Sequence, residues 1–219
     1  MNAGAAGGRP TRLVAVVGSS TGVGKTWVTC MAAGTARERG VRVAARKPVQ
    51  SFEADPSGRP LEPTDADLLA QATGEEAHTV CPEHRWYPRA MAPPMAAVAL
   101  GRSPIALDEV LGELRWPPGT ELGLVESVGG VRSPLADDAD SAFLAHALAP
   151  DLTILVADAE LGTINATRLS VEALRPLDVV VLLNRYDPDR DIHARNRRWL
   201  EERDGYRIVV DPLRLPMGI

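Results

Sequence analysis

The stretch "GSSTGVGKT" (residues 18–26) follows the apolar run "LVAVV" (Leu13 to Val17). A strand-like run that ends in a glycine-rich turn and Gly-Lys-Thr describes a phosphate-binding loop. Backbone N–H groups of Thr21 to Thr26 would cradle phosphate oxygens, helped by the positive N-terminal end of the next helix. Lys25 would meet the outer phosphates and the Thr26 hydroxyl would ligate Mg²⁺. The usual spacing is G-x-x-x-x-G-K-[ST]. Here the loop carries one extra residue between Gly18 and Gly24.

Outward from this loop, apolar runs recur at 13–18, 41–49, 121–126, 152–158, 179–184 and 206–210. Helix-like stretches lie between most of them: "KTWVTCMAAGTARERG", "TDADLLAQATG", "SPIALDEVLGEL" and "INATRLSVEAL", several with a polar start and a glycine stop. The proline-rich segment 87–101 reads as a loop entering a helix. Strands alternating with helices predict a three-layer α/β fold: a parallel sheet covered on both faces, of the P-loop NTPase-like (Rossmann-like) type. In such sheets ligands bind beyond the carboxyl ends of the strands. The residues just after each run are therefore the candidate site.

The chain has 219 residues, 45% of them hydrophobic, enough for one sizeable core. A flexible tail over 1–12 and a single domain over 13–219 are expected. No run has the length and apolarity of a membrane span, and no signal-peptide pattern precedes the first strand. Cys30 and Cys81 supply no disulfide framework, which fits a reducing cytoplasm. A formal net charge of −5 argues against general nucleic-acid binding. The basic "HARNRRW" (193–199) is followed at once by "LEERD" and reads as a solvated helix face. Of 24 Lys plus Arg residues, only Lys25 and Lys47 are lysines. Arginine cannot easily replace a lysine that acts as a compact point charge in a tight site. The pattern marks Lys47 beside the loop lysine.

A nucleotide-bound Mg²⁺ takes oxygen ligands, commonly one or two carboxylates. Glu126 closes an apolar strand, where a buried acid needs a partner. Asp65 stands at a helix start, as a helix cap or as a ligand. "NRYD" (184–187) resembles the guanine reader of GTPases with arginine in the lysine slot, but "ESVGG" stands where those proteins carry D-x-x-G. Adenine is favoured over guanine. His78, Cys81 and His84 lack a fourth zinc ligand, and no G-x-S-x-G elbow supports acyl-enzyme chemistry.

Taken in order, "GSSTGVGKT", "KPVQS", "TDAD", "YPRAMAPPMAA", "VESVGG", "ELGTINAT" and "VVLLN" resemble dethiobiotin synthetase, the ATP-dependent enzyme that closes a cyclic urea in biotin synthesis. The resemblance spans roughly residues 13–186, and that family's loop carries the same extra residue. It implies that 7,8-diaminopelargonate takes up CO₂ as a carbamate, which ATP phosphorylates to a mixed anhydride. The neighbouring amine then closes the ring and expels phosphate. By the same resemblance, Lys25 and Lys47 are catalytic, with Thr21 and Ser51 bonding the carbamate. Thr26, Asp65 and Glu126 hold Mg²⁺. Ser20, Gly22, Val23, Gly24, Lys25, Thr26, Trp27, Asn184 and Pro212 bind the nucleotide, with Asn184 on the adenine amino edge. Gly129 approaches the substrate. Gly162, Thr163, Ile164 and Asn165 open a helix that receives the substrate carboxylate across a homodimer interface. The loop Ala92 to Met95 is either packing or a wall for the aliphatic chain.

The departures are Ser127 and Val128 within an E-G-A-G-G motif, Ala166 where histidine is frequent, Arg46 before Lys47, Arg132 after the glycines, and a short C-terminus lacking a full last helix. Two alternatives follow: a paralogue phosphorylating the carbamate of another amine, and a dimeric nucleotide switch.

Overall fold

The computed structural model describes residues 8–218. Among the described residues, ten strands and eight helices follow one another. The strands are β1 (Arg12–Gly18), β2 (Val43–Arg46), β3 (Gln50–Ser51), β4 (Trp86–Tyr87), β5 (Leu122–Glu126), β6 (Pro134–Ala136), β7 (Ala139–Asp140), β8 (Leu152–Ala157), β9 (Val179–Leu183) and β10 (Ile208–Val209). The helices are α1 (Lys25–Glu38), α2 (Asp65–Thr73), α3 (Ala77–Val80), α4 (Pro93–Ala99), α5 (Leu107–Glu113), α6 (Ser141–Leu148), α7 (Thr163–Leu174) and α8 (Asp191–Glu202).

Six strands form one sheet in the order β10-β9-β8-β1-β5-β2, every pair parallel. Each of the six apolar runs contributes one of these strands, as the alternation predicts. Strands buried on both faces need apolar side chains throughout. β5 and β8 are buried along their whole length. Side chains of successive strand residues point to opposite faces. Val14 and Val16 of β1 thus pack with Val28, Ala32 and Ala36 of α1. Val17 joins Ala142 and Ala145 of α6 on the other face. Because β1 lies inside the sheet with β5 on one side and β8 on the other, the chain turns opposite ways from its end, and a crevice opens there.

Four details depart from the sequence reading. The run 41–49 is strand only to Arg46, because the Lys47 N–H donates to the Val80 carbonyl instead of the sheet, at 2.9 Å. Helix α6 was not foreseen; Asp140 caps it by accepting from the Phe143 N–H. Two minor pairs, β3 with β4 and β6 with β7, escape a pattern that needs longer alternation. Of the tail expected over 1–12, residues 1–7 lie outside the described residues. From Arg9 onward the chain is held: Arg9 donates to the Leu148 and Ala149 carbonyls, Pro10 is buried, and β1 opens at Arg12. Near the other end a short 3-10 turn, Pro212–Arg214, leads Leu215 and Met217 into the core beside α1.

Ile154, fully buried at the centre of β8, tests this core. Ile154→Ala is expected to lower stability by about 2–5 kcal/mol, read from urea unfolding with an unchanged slope.

Candidate active site

The loop after β1 enters α1 through Gly24, which adopts φ 95° as the helix N-cap. Only glycine takes that conformation freely, and a Cβ there would also strike the Asn184 amide. The Asn184 Nδ2 donates to the Val23 carbonyl at 2.8 Å, and Arg185 to that of Gly22 at 3.1 Å. Across the crevice, Lys25 Nζ donates to the Gly129 carbonyl at 2.6 Å and the Ser20 carbonyl at 3.4 Å. Gly129 itself has φ 56°, and Ser133 packs where its Cβ would stand. Burial and the nearby Lys47 charge bring the Lys25 pKa down to about 8, against the opposing pull of Glu126 and Asp65.

Below the loop lies a charge cluster in which Lys47 and Glu126 are buried and Asp65 is partly exposed. Thr26 Oγ1 is 2.8 Å from both Asp65 Oδ1 and Glu126 Oε1. A hydroxyl has one proton and donates to one acceptor at a time, so three oxygens converge on one point. Lys47 Nζ lies 2.7 Å from Asp65 Oδ2, 2.7 Å from Glu126 Oε1 and 3.1 Å from the Ser127 carbonyl. Its three N–H groups thus have three acceptors. Burial works to lower the Lys47 pKa, but the two carboxylates more than offset it and hold the ammonium charged. The Lys47 charge in turn holds the Asp65 carboxyl below its usual range. Glu126 is 0% exposed, and its Oε2 has no hydrogen-bond partner among the described residues. A buried carboxylate oxygen without a partner is costly. An all-oxygen set with a spare lone-pair position suits a hard divalent cation. Thr26, Asp65 and Glu126 therefore fit Mg²⁺.

Thr26, Lys47 and Asp65 open onto a cavity of about 520 Å³, with Glu126 buried behind them. Of the residues singled out from sequence, Thr21, Gly22, Gly24, Lys25, Thr26, Lys47, Ser51, Asp65 and Gly129 line it. Ala90 to Pro93, Val128 and Pro134 form its apolar wall. Ser51 Oγ donates to the Met91 carbonyl at 2.7 Å, which ties the polar and apolar walls together. A second cavity shares Thr21, Ser133 and Pro134 with the first and reaches Ser20 and Asn165. Other candidates stand apart. Gly162, Thr163 and Ile164 line neither cavity. Trp27 is half-exposed on the first turn of α1. Pro212 sits in a separate cleft with Ala32, Thr35 and Arg39, because the C-terminal segment runs along α1 away from the loop.

A family model described as an AAA domain matches residues 12–212. The ATP-dependent dethiobiotin synthetase BioD of Haloferax mediterranei is 40% identical over 203 residues, covering 90% of this chain and 82% of its own. The chain belongs to the dethiobiotin synthetase family. The dethiobiotin synthetase of Anaeromyxobacter sp. (strain Fw109-5) is 39% identical over 169 residues, 76% of this chain and 72% of that relative. Solved structures share the fold: a putative plasmid partition protein of Borrelia burgdorferi bound to AMPPNP has a TM-score of 0.54 at 11% identity, over 96% of this chain and 91% of its own. The signal recognition particle receptor FtsY of Elizabethkingia anophelis, in complex with GDP, has a TM-score of 0.54 at 13% identity, over 94% and 58%.

The residues that the sequence reading sets apart from the family's motifs fall in different places. Val128 lines the main cavity, while Ser127 is buried and its hydroxyl has no partner among the described residues. Arg46 points away from the site: it pairs with Glu75 at 2.8 Å and stacks over Trp116. Arg132 pairs with Asp140 at 3.0 Å beside the second cavity. The sequence reading missed Gln50 and Ser133, both on the main cavity. Ser133 was traceable as the small polar residue three after Gly130, whose N–H it accepts at 2.8 Å.

Because the chain has only two lysines, its side-chain ammonium ¹⁵N spectrum should contain two signals. In the ligand-free protein one should titrate near pH 8 and the other stay protonated above pH 10. Since Lys25 is depressed, the cost of its charged buried form persists below pH 8 and is relieved as pH rises toward the ordinary lysine value.

Proposed function

We propose that this chain is an ATP- and Mg²⁺-dependent cyclo-ligase that makes dethiobiotin from 7,8-diaminopelargonate and CO₂. One observation carries the reading: the chain's only two lysines meet on one cavity that has an oxygen-ligand cluster at one side and an apolar wall at the other. The amine adds to CO₂ and releases a proton, giving a carbamate. The carbamate oxygen takes the γ-phosphoryl of ATP and releases ADP. The neighbouring amine then attacks the carbonyl carbon, and phosphate leaves with the ring closed. Magnesium, held by Thr26, Asp65 and Glu126, would supply charge neutralisation at the phosphates.

The residues' work is positioning and electrostatics. Lys25 exchanges its carbonyl partners for phosphate oxygens, whose negative charge favours its ammonium form. Lys47 faces carbamate and phosphoryl oxygens, Thr21 donates to the carbamate, and Ser51 does so by giving up its bond to the Met91 carbonyl. Ala90 to Pro93 and Val128 cover the aliphatic chain. Asn184 serves the base. Its Nδ2 is engaged by Val23, so the amide orientation is set. Its Oδ1 accepts nothing among the described residues and is free for the adenine 6-amino group. The second amide N–H suits N7, the bidentate pairing of asparagine with adenine. Guanine presents a carbonyl at the same place and is disfavoured.

A homodimer completes the assembly. Leu161, Leu169 and Phe143 expose large apolar surfaces on or beside α6 and α7, at 87%, 59% and 56%, next to the helix start proposed for the substrate carboxylate. No helix among the described residues is long and apolar enough to cross a membrane. Unpaired Cys30 and Cys81 suit a cytoplasmic enzyme. The extra bulk of Val128 favours one second reading, ring closure on a different diamine.

Incubation with 7,8-diaminopelargonate, bicarbonate, Mg²⁺ and ATP should yield dethiobiotin by mass spectrometry. A folded, nucleotide-binding protein that makes no product would defeat the proposal, and product from another diamine alone would favour the second reading. Lys47→Ala should cut turnover about a hundred- to a thousandfold with nucleotide affinity nearly unchanged; equal losses would remove its assigned role. Asn184→Ala should reduce the preference for ATP over GTP by about tenfold or more, measured by competitive binding.

A further inference from the structure

Gln50 is 2% exposed, yet no part of the reaction uses it. Its side-chain amide bonds on both sides of Asp65. Oε1 accepts from the Ala66 N–H at 3.0 Å, and Nε2 donates to Thr64 Oγ1 at 3.2 Å. Thr64 is the N-cap of α2, Asp65 its first residue and Ala66 its second. The first turn of a helix leaves N–H groups without intrahelical partners. The capping box of Thr64 and Asp67 satisfies Asp67 N–H and Thr64 N–H, not that of Ala66. Gln50 supplies the missing acceptor. Thr64 Oγ1 donates its one proton to Asp67 Oδ2 at 2.8 Å, so toward Gln50 it can only accept. The amide matches both demands at once: an acceptor for Ala66 and a donor for Thr64.

The consequence falls on Asp65. Its two oxygens face Thr26 and Lys47, while the chain joining Gln50 to α2 runs through residues 52–63, most of them partly or fully exposed. Lys47, Gln50 and Ser51 belong to one short segment. Beside the Lys47–Asp65 ion pair, which reaches the carboxylate itself, the Gln50 amide ties that segment to the helix start on either side of Asp65. The geometry points to Gln50 as a positioning residue that fixes the Asp65 carboxylate for the divalent cation, acting through the two bonds that flank it, one to the Ala66 backbone N–H and one to the Thr64 hydroxyl. This inference rests on the assignment of Asp65 to Mg²⁺ above.

The test is Mn²⁺ binding by electron paramagnetic resonance, with a non-hydrolysable ATP analogue bound, in the wild type, Gln50→Met, Asp65→Ala and the double variant. Gln50→Met should weaken Mn²⁺ about ten- to a hundredfold, as partners of metal ligands do. Analogue affinity without metal should hold, and the change should add nothing in the Asp65→Ala background. Unchanged Mn²⁺ affinity, a loss additive to that of Asp65→Ala, or a parallel loss of metal-free analogue binding would each overturn the role. Gln50→Glu keeps the side chain's shape and guards against a variant that fails to fold. Ionised, it offers Thr64 a second acceptor; protonated, it restores the donor. Its Mn²⁺ deficit relative to wild type should therefore shrink as pH falls from 7 toward 5, and a pH-independent deficit would count against the inference. Metal binding is read without ring closure. Absence of product with these metal effects intact would remove the reaction and leave the role of Gln50 standing.

Discussion

The site is organised around a buried ammonium held between two carboxylates. Lys47 joins Asp65, on α2, to Glu126, at the end of β5. Lys47 and Glu126 are out of water while Asp65 stays partly exposed, and burying charges is costly unless they pair closely and their remaining hydrogen-bonding groups find partners. Here the three lysine protons are all used, whereas one Glu126 oxygen is not. The cluster is thus complete for the lysine and incomplete for the acid. A divalent cation arriving with a nucleotide would satisfy that oxygen and take over the carboxylate charge that now holds Lys47, leaving the lysine to meet an anion.

The parallel sheet makes this convergence possible. Loops after β1, β2, β5 and β9 leave the same edge, and three hydrogen bonds stitch the first to the last two: Lys25 to Gly129, Asn184 to Val23, and Arg185 to Gly22. The phosphate loop is braced from both sides before any ligand binds. Donors held in advance need little rearrangement when charge develops, which is the source of their catalytic worth.

Much of this was legible in the chain itself. Continuous Val, Leu and Ile runs announced strands buried on both faces. The Gly-Lys-Thr turn placed the phosphate loop, and the scarcity of lysine pointed to Lys47. What stayed hidden depended on distance in space. Gln50 meets Thr64 and Ala66 across a long loop, and nothing in "KPVQS" reveals that its amide caps another helix. The resemblance gives Pro212 to the nucleotide, whereas burial of Leu215 and Met217 holds that segment along α1, in a cleft with Ala32, Thr35 and Arg39. The early end of β2 was equally unreadable, since the Val80 carbonyl that captures Lys47 comes from a four-residue helix.

The scarcity of lysine reaches beyond catalysis. Both side-chain amines are buried, at 7% and 2% exposure, so the outer surface carries its positive charge on arginine alone. Acylating reagents, amine-directed cross-linkers and amine-coupled supports would find no lysine to modify on that surface. Apart from the chain's amino terminus, their targets lie inside the reaction cavity, so labelling of this protein is in effect a measure of how open that cavity is.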